Sequence, residues 1–214
     1  MIPDQIKIIQ SHYNYAGAWA FLHNKGIELY GNKFRLYSID ADIIVKLIAW
    51  FFKDTETARN FNIDLEKGIM LTGPVGCGET SLLNVCRFLL PANERHTMKS
   101  CRDVSFEFMK EGHERFHKYT HGSFNQKPFQ AKVYCFDDLG LENTGNFYGK
   151  QCSVMGEILF SRYDMFHSFN MVTHITTNLN SSEIELMYGI RLRSRFRKIF
   201  NLVSFDKNSA DKRN

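Results

Sequence analysis

Long apolar runs, paired cysteines and internal repeats are all missing from this sequence of 214 residues. The longest apolar stretch, residues 43–52, is interrupted by Lys46 and falls well short of the roughly 20 residues that a membrane-spanning helix needs. The cysteines are scattered, without CxxC pairs or histidines at zinc spacing, so we expect most of them to be reduced and buried. The first residues lack the basic start and apolar segment of a secretory signal. Together these absences predict a cytoplasmic protein with no contact with a membrane.

A strong excess of one charge is missing as well. The sequence carries 27 Lys and Arg against 23 Asp and Glu, a net charge of +4, which permits contact with nucleic acid but does not require it. A DNA-binding structural protein without a nucleotide would need a larger basic excess. The composition is 43% hydrophobic, with 19 Phe and 9 Tyr, so nearly the whole chain should fold.

The character of the sequence changes near residue 60. Residues 1–60 predict a small helical or mixed appendage, with a helix that begins after Asp40 or Asp42 and an alternating segment at 32–39 that is typical of a half-buried strand. Residues 61–214 predict a nucleotide-binding domain. There, apolar runs at 68–72, 133–136, 171–175 and 202–205 alternate with helical patterns at 80–90, 104–119 and 153–166. This alternation predicts a three-layer α/β/α fold around a parallel sheet, with ligand at the carboxyl ends of the strands.

A phosphate-binding pattern follows the first of these runs. Residues 73–80 match the P-loop pattern G-x-x-x-x-G-K-[ST] at every fixed position except Glu79. Glycines let such a loop curl so that its backbone N–H groups point at a phosphate. The candidate nucleotide-binding residues are Gly73, Pro74, Val75, Gly76, Cys77, Gly78, Glu79, Thr80 and Ser81. The alternative is an ordinary glycine-rich turn at the start of a helix.

Glu79 stands where the pattern has a lysine that contacts the β- and γ-phosphates. Its negative charge replaces attraction by repulsion, so we expect weak binding and impaired phosphoryl transfer. We also expect Glu79 to turn toward solvent or to pair with a nearby base. The hydroxyl of Thr80 is the candidate magnesium ligand in this loop.

Carboxylates and an amide follow two later strands. Asp137 and Asp138 come directly after the run at 133–136, where Asp137 suits magnesium and Asp138 suits orientation of the attacking water. Asn178 follows the run at 171–175 and could reach the γ-phosphate or that water. The two acids could instead cap a helix or form a turn, and Asn is a common turn former. We place Asp137 at the end of a strand adjacent to the P-loop strand.

Basic residues cluster near the end of the sequence. On a helix, Arg191, Arg195 and Lys198 share one face, whereas Arg193 and Arg197 lie on another. This helix could be a solvated surface, a donor of an arginine to a neighbouring subunit's phosphate, or a DNA-backbone contact.

From about residue 67 to 213, the motifs and their order resemble the AAA+ ATPases of the DnaC/IstB helicase-loader group. Residues 137–142, 177–178 and 189–196 are similar to that group's extended acidic motif, first sensor and arginine-finger helix. The resemblance implies that Arg195, or Arg191 as second choice, acts on the ATP of a neighbouring subunit. Arg213 is similar to the second sensor.

The same resemblance implies ATP or ADP with Mg²⁺ as cofactors, a core without a separate lid, and self-association through the nucleotide site. It also implies a replicative helicase or a transposase as partner, and contact with DNA. The leading hypothesis is an ATPase that acts as a nucleotide-dependent switch on a DNA-replication or transposition assembly, with hydrolysis impaired by Glu79. The alternative is a pseudo-ATPase that uses the fold for binding only. The presence of Asp137, Asp138, Asn178 and Arg195 favours the ATPase.

Overall fold

A computed structural model of the chain describes residues 2–7, 9, 11–126, 129–142, 145–147 and 150–213. The chain divides into two compact units, the first formed by Met1–Leu65, Gly73–Arg95 and Val203–Asn214, and the second by Glu66–Thr72 and His96–Leu202. The first unit therefore combines segments from both ends of the chain with the glycine loop. The domain boundary predicted near residue 60 stays a prediction.

The first unit is mainly helical. Its elements are α1 (Asp4–Lys7), α2 (Tyr15–Tyr30), α3 (Ala41–Phe52), α4 (Thr55–Asn60) and α5 (Glu79–Cys86), with 3-10 helices at Ser38–Asp40 and Arg87–Leu89. Helix α2 packs against both α3 and α5. Leu22, Ile48 and Leu83 from these three helices are completely buried. The helix predicted to begin after Asp40 is confirmed as α3.

A buried carboxylate connects the N-terminal segment to α4. Asp54 accepts hydrogen bonds from the hydroxyls of Ser11 and Tyr15, both at 2.7 Å, and from the backbone N–H of Thr57 at 3.3 Å, which caps α4. Burial acts to raise the pKa of Asp54, but the hydrogen bonds from Ser11, Thr57 and Tyr15 outweigh it and lower the pKa to about 2. The ionised form of Asp54 is thus part of the folded structure.

The half-buried strand predicted at residues 32–39 is wrong. The chain there runs through a turn and a loop into the 3-10 helix at Ser38–Asp40. Phe34 packs so closely on Gly26 of α2 that a Cβ there would lie 2.0 Å from the ring, and it stacks on Tyr30 with centroids 5.8 Å apart. The alternation of polar and apolar residues reflects single side chains packed on a helix, without a neighbouring strand.

The second unit contains the sheet. Its elements are β1 (Gly68–Thr72), β2 (Thr97–Ser100), α6 (Cys101–Glu111), α7 (His113–Tyr119), β3 (Phe124–Gln126), β4 (Phe129–Ala131), β5 (Tyr134–Asp137), β6 (Gly145–Phe147), β7 (Lys150–Cys152), α8 (Val154–Phe169), β8 (Thr173–Thr177), α9 (Ser181–Ile199) and β9 (Phe200–Ser204), the last of which leads back into the first unit. Two antiparallel hairpins, β3–β4 and β6–β7, accompany a five-stranded sheet of order β2-β5-β8-β1-β9. The pairs β2–β5, β5–β8 and β8–β1 are parallel, which confirms the predicted α/β class.

Strand β8 lies between β5 and β1. The prediction that Asp137 ends a strand adjacent to the P-loop strand is therefore wrong. All five residues of β8 are buried, as expected for a central strand that pairs on both sides. Because the order of strands is set by pairing and not by local sequence, the apolar run at 171–175 predicted the strand but not its position.

A fully buried arginine ties α8 to the surrounding backbone. Arg162 donates to the hydroxyl of Thr173 at 2.6 Å and to the carbonyl groups of Tyr119, Lys132 and Val172 at 2.9, 3.0 and 3.0 Å. Burial lowers the pKa of Arg162 to about 9. The hydrogen bonds offset part of the cost of removing this charge from water.

Other features differ from the sequence prediction in detail. The helix predicted at 104–119 is interrupted at Gly112, which has φ of 57° and separates α6 from α7. Cys77, Cys86, Cys101 and Cys135 are buried reduced thiols, as predicted. Within the part of the chain that the structure describes, no helix combines the length and apolar character needed to cross a membrane.

Candidate nucleotide-binding site

The loop between β1 and α5 has a backbone shape that favours glycine. Gly76 and Gly78 have φ of 84° and 102°, in the left-handed region, and α5 begins at the next residue, Glu79. Gly76 also lacks room for a side chain, because a Cβ there would lie 2.2 Å from a carboxylate oxygen of Asp211. This sharp turn into a helix N-terminus suits a phosphate group.

Glu79 lies inside the protein, with only 7% of its surface exposed. Of the two expectations for Glu79, the one that it turns toward solvent is therefore wrong, and the one that it pairs with a nearby base stays a prediction. Burial, together with a hydrogen bond to Glu79 and the charge of that carboxylate, raises the pKa of the Cys77 thiol. A carboxylate in the first turn of α5 interacts favourably with the partial positive charge of the helix N-terminus. Thr80, the next residue, is exposed.

A cavity of about 340 Å³ lies beside this loop, entirely within the first unit. Its walls come from three segments, within residues 30–44, 76–82 and 205–213. The aromatic residues of its lining are Tyr30, Phe34, Tyr37 and Phe205, and the charged ones are Lys33, Arg35, Asp40, Lys212 and Arg213. Its volume is in the usual range for small-molecule sites, and rings next to cations suit a ligand with a planar base and a phosphate chain.

The C-terminal segment crosses the glycine loop. The backbone N–H of Lys212 donates to the carbonyl group of Gly76 at 2.9 Å. The ammonium group of Lys212 donates to Asp40 at 2.5 Å and lies over the rings of Phe205 and Tyr37, 4.6 and 5.2 Å from their centroids. A positive charge is thereby held at the loop whose own sequence supplies a negative one.

Sequence reasoning selected Arg213 in this segment and missed Lys212. Arg213 does line the cavity, and its guanidinium pairs with Asp211 through two hydrogen bonds of 3.0 Å. Lys212 differs because it is anchored to the loop itself. No local pattern pointed to it, since its partner Asp40 is 172 residues away in the sequence.

In the second unit, Asp137 and Asp138 lie where the sequence predicted, at the end of β5. A carboxylate oxygen of Asp137 accepts a hydrogen bond from the hydroxyl of Thr176 at 2.6 Å, and the same hydroxyl accepts from the N–H of Asp138 at 2.9 Å. Thr176 thus fixes both acids, a role that sequence reasoning did not assign. Asp138 has φ of 56°, in the left-handed region, which is uncommon for a residue other than glycine but is adopted more readily by Asp than by most others.

Asn178 lies at the same edge of the sheet. The parallel register places Phe136 opposite Ile175, so β5 and β8 end side by side and Asn178 follows β8 as an exposed residue. The structure therefore brings Asn178 to the edge that carries Asp137 and Asp138.

The basic helix is the last part of α9. The helix is interrupted at Gly189, which has φ of 83° and ψ of 157°. The guanidinium of Arg195 lies over the rings of Phe160 and Tyr163 of α8, 4.6 and 4.8 Å from their centroids. Arg191 is exposed. Arg195 is thus partly engaged in packing within its own chain.

The residues predicted as magnesium ligands have suitable chemistry. Thr80 offers a hydroxyl and Asp137 a carboxylate, both hard oxygen donors of the kind that Mg²⁺ prefers. Within the described ranges, no group of three or more His, Cys, Asp or Glu side chains could hold a metal ion. An ion bound by Thr80 or Asp137 would therefore take most of its ligands from phosphate oxygens and water.

The sheet order, the glycine loop after β1 and the acids after β5 define an α/β fold of the AAA+ P-loop type. Among solved structures, the crystal structure of the DnaC helicase loader is similar, with a TM-score of 0.57 and 16% identity over 86% of this chain and 98% of that one. A putative primosome component from Streptococcus pyogenes serotype M3 has a TM-score of 0.55 and 15% identity over 81% and 83% of the two chains. Domain III of the Thermotoga maritima replication initiation protein DnaA has a TM-score of 0.51 and 16% identity over 81% and 65%.

These similarities are similarities of fold, because the identities are low. No protein-family model and no curated protein matches the sequence.

Proposed function

We propose that this chain is an ATP-binding AAA+ protein that acts as a nucleotide-dependent switch on a DNA-replication or transposition assembly. The glycine loop carries the proposal, because two glycines in the left-handed conformation lead into α5 beside a cavity lined by rings and cations. Loop N–H groups and cations suit the phosphates, and the rings suit the base.

Each candidate site residue has a proposed role that follows from its chemistry. The loop residues 73–81 hold the phosphate chain, and Thr80 and Asp137 would hold Mg²⁺, an ion that would neutralise charge on the phosphates. Asp138 orients the attacking water, and Asn178 contacts it or the γ-phosphate. Thr176 keeps the carboxylate of Asp137 in place through its hydrogen bond of 2.6 Å.

A pseudo-ATPase is the second candidate. It is favoured by the burial of Glu79, whose carboxylate occupies the N-terminal turn of α5, the region that should attract a phosphate. In that case the chain binds nucleotide weakly and does not turn it over.

Replacing Glu79 by Lys tests both candidates. Glu79→Lys is expected to bind ATP and ADP at least about tenfold more tightly in calorimetry with Mg²⁺, since a good charge-assisted contact contributes roughly 1.5–3 kcal/mol. Turnover should rise by a larger factor, because charge builds up on the transferring phosphoryl group. Glu56→Lys, at an exposed position of α4, is the matched control for the change in net charge.

The outcomes separate the alternatives. Tighter binding with turnover supports the ATPase, and tighter binding without turnover supports the pseudo-ATPase. If neither the unsubstituted chain nor Glu79→Lys binds nucleotide, the proposed function is wrong. Equal affinity and turnover in these two proteins, or an equal gain in Glu56→Lys, would show that position 79 does not contact the phosphates.

The proposed partners are a replicative helicase or a transposase, together with DNA. The helicase is suggested by the similarity to the DnaC helicase loader, and fold alone supports it. Co-sedimentation with the replicative helicase of the same organism, with ATP, with ADP and without nucleotide, tests it. If the amount of co-sedimenting protein differs between ATP, ADP and no nucleotide, the switch is supported. If it is the same in all three, the switch is contradicted.

A further inference from the structure

The cavity beside the glycine loop is lined by Lys212, whose positive charge is opposite to that of Glu79. Lys212 is tied to the loop through its backbone hydrogen bond to Gly76. Its Cδ lies 3.9 Å from the position that a Cβ on Gly78 would take, so the side chain runs directly along the loop. The side chain of Lys212 therefore passes beside Gly78, the residue that precedes α5.

The partner of Lys212 is a buried carboxylate that does not cap the helix it precedes. Asp40 occupies the N-cap position of α3, yet its side chain makes no capping hydrogen bond. It accepts from the ammonium group of Lys212 at 2.5 Å instead, and the two side chains are only 6% and 17% exposed. A carboxylate in this position orients the ammonium group, and both side chains line the cavity.

Two other cations of the cavity, Arg213 and Arg35, are engaged differently. Arg213 pairs with the more exposed Asp211, and Arg35 donates to the carbonyl groups of Asn32 and Phe34 at 2.5 and 2.8 Å. Lys212 is distinguished from both by its backbone anchor on the loop. Its ammonium group is a compact charge with rotatable donors, which can reorient while the Cα stays in place.

We propose that Lys212 supplies the phosphate-binding positive charge of this cavity, with Asp40 as the counter-ion that holds it until a nucleotide di- or triphosphate displaces the carboxylate. This inference rests on the proposed nucleotide-binding function. A phosphate chain carries more negative charge than one carboxylate and brings its own acceptor oxygens, so it competes with Asp40 for the ammonium group.

The test is titration calorimetry with ADP and with inorganic pyrophosphate, each with Mg²⁺. Lys212→Met should weaken both by roughly tenfold, the effect of losing one charge-assisted contact. Asp40→Asn should strengthen both several-fold, because it leaves Lys212 without its competing carboxylate. Lys207→Met, in the same C-terminal segment but exposed and outside the cavity lining, is the control and should change neither affinity.

Lys212→Met is expected to weaken nucleotide binding and Asp40→Asn to strengthen it. These opposite effects distinguish a phosphate-binding role of Lys212 from a purely structural contact with Asp40. If Lys212 only fastens the C-terminal segment to Asp40, both substitutions break the same contact and weaken binding alike, which overturns the inference. Unchanged affinity in Lys212→Met overturns it as well. Thermal unfolding checks that each variant is folded. If Lys212→Met does not fold, Asp40→Asn decides: tighter binding supports the inference, and equal or weaker binding contradicts it.

Glu79→Lys separates this inference from the proposed function. If Glu79→Lys binds ADP but Lys212→Met has no effect in the unsubstituted chain, the function stands and the role of Lys212 is wrong. If Glu79→Lys binds ADP only while Lys212 is present, Lys212 contacts the phosphates even beside a loop lysine. If no variant binds ADP or pyrophosphate, the function and the inference both fail.

Discussion

Asp54 shows how one buried carboxylate couples the stability of the first unit to pH. Its pKa falls from the ordinary 3.8 to about 2 because three hydrogen-bond donors outweigh the effect of burial. A pKa that is lower in the folded than in the unfolded state stabilises the protein above pH 3.8. That stabilisation is lost as the pH falls through 3.8 toward 2.

We predict that Asp54→Asn lowers the free energy of unfolding at pH 7 by on the order of 2 kcal/mol, the energy equivalent of such a pKa shift. The variant should also lose less stability than the unsubstituted chain between pH 4 and pH 2. Urea unfolding at several pH values measures both effects. Asp164→Asn, at an exposed position of α8, is the control. An equally steep loss of stability in Asp54→Asn would contradict the assignment.

Glu79 is a second acidic residue that affects both the stability of the fold and the candidate site. A negative side chain at the start of α5 is favourable for the empty helix, but it competes with any phosphate for the same positive end. One residue can therefore stabilise the fold and weaken the site.

Helix α8 is held to its surroundings by Arg162, whose planar guanidinium satisfies a hydroxyl and three carbonyl groups at once. Lysine has the charge but not the fork of donors. We predict that Arg162→Lys lowers the free energy of unfolding by about 2–4 kcal/mol, because buried acceptors lose their partners. Arg197→Lys, at an exposed position of α9, should change it by less than about 0.5 kcal/mol. Chemical denaturation measures both, and an equal, small effect would show that water replaces the lost donors.

The elements differ in how much of them the sequence could predict. Strands β1 and β5 are short apolar runs, and β8 (Thr173–Thr177) begins within the apolar run at 171–175. Each of the three is followed by residues with recognisable chemistry, so both the strand and its motif were predicted. Strand β2 reads Thr-Met-Lys-Ser and lies at the edge of the sheet, so it has no apolar run. Helix α2 contains Gly17 and Gly26, which lower helix propensity, and its formation depends on packing against α3 and α5.

The candidate site divides in the same way. The glycine loop, Asp137, Asp138 and Asn178 are local patterns, and the sequence placed them at the ends of strands. Lys212 and its contact with Asp40 arise only when distant segments fold together, and Thr176 acquires its role only because β8 pairs with β5. Local sequence thus predicts which groups end a strand, but not which groups tertiary packing brings beside them.

At the scale of the whole molecule, the first unit places segments from the N-terminal and C-terminal parts of the chain around one cavity. Residues 30–44 and 205–213 face the loop residues 76–82 there. If a nucleotide binds in this cavity, it contacts the N-terminal segment and the C-terminal segment together. A nucleotide in this cavity could then favour one arrangement of these segments over another. A nucleotide-dependent switch requires such a difference in interaction between two states.

The proposed self-association through the nucleotide site depends on an arginine that acts across an interface. We predict that Arg195→Ala, made in the Glu79→Lys background, weakens ATP-dependent self-association and turnover, because an arginine finger stabilises charge on the phosphates of the neighbouring subunit. The substitution also removes the stacking of Arg195 on Phe160 and Tyr163, a loss of about 0.5–1 kcal/mol of stability. Sedimentation velocity and a turnover assay, with and without ATP and Mg²⁺, measure the first effect, and thermal unfolding measures the second.

Two further variants of α9 show whether the loss of self-association is specific to Arg195. Arg197→Ala removes an exposed charge from the other face of α9 and should leave self-association unchanged, whereas Arg191→Ala tests the second candidate for the finger. If Arg195→Ala lowers only the thermal stability, while the protein stays monomeric with ATP at high concentration and turnover is unaffected, the finger role is wrong and Arg195 acts in packing alone. The remaining role for the basic helix would then be contact with a DNA backbone. That contact should weaken steeply as salt is raised, and each phosphate-binding arginine removed should reduce the slope of that dependence by about one.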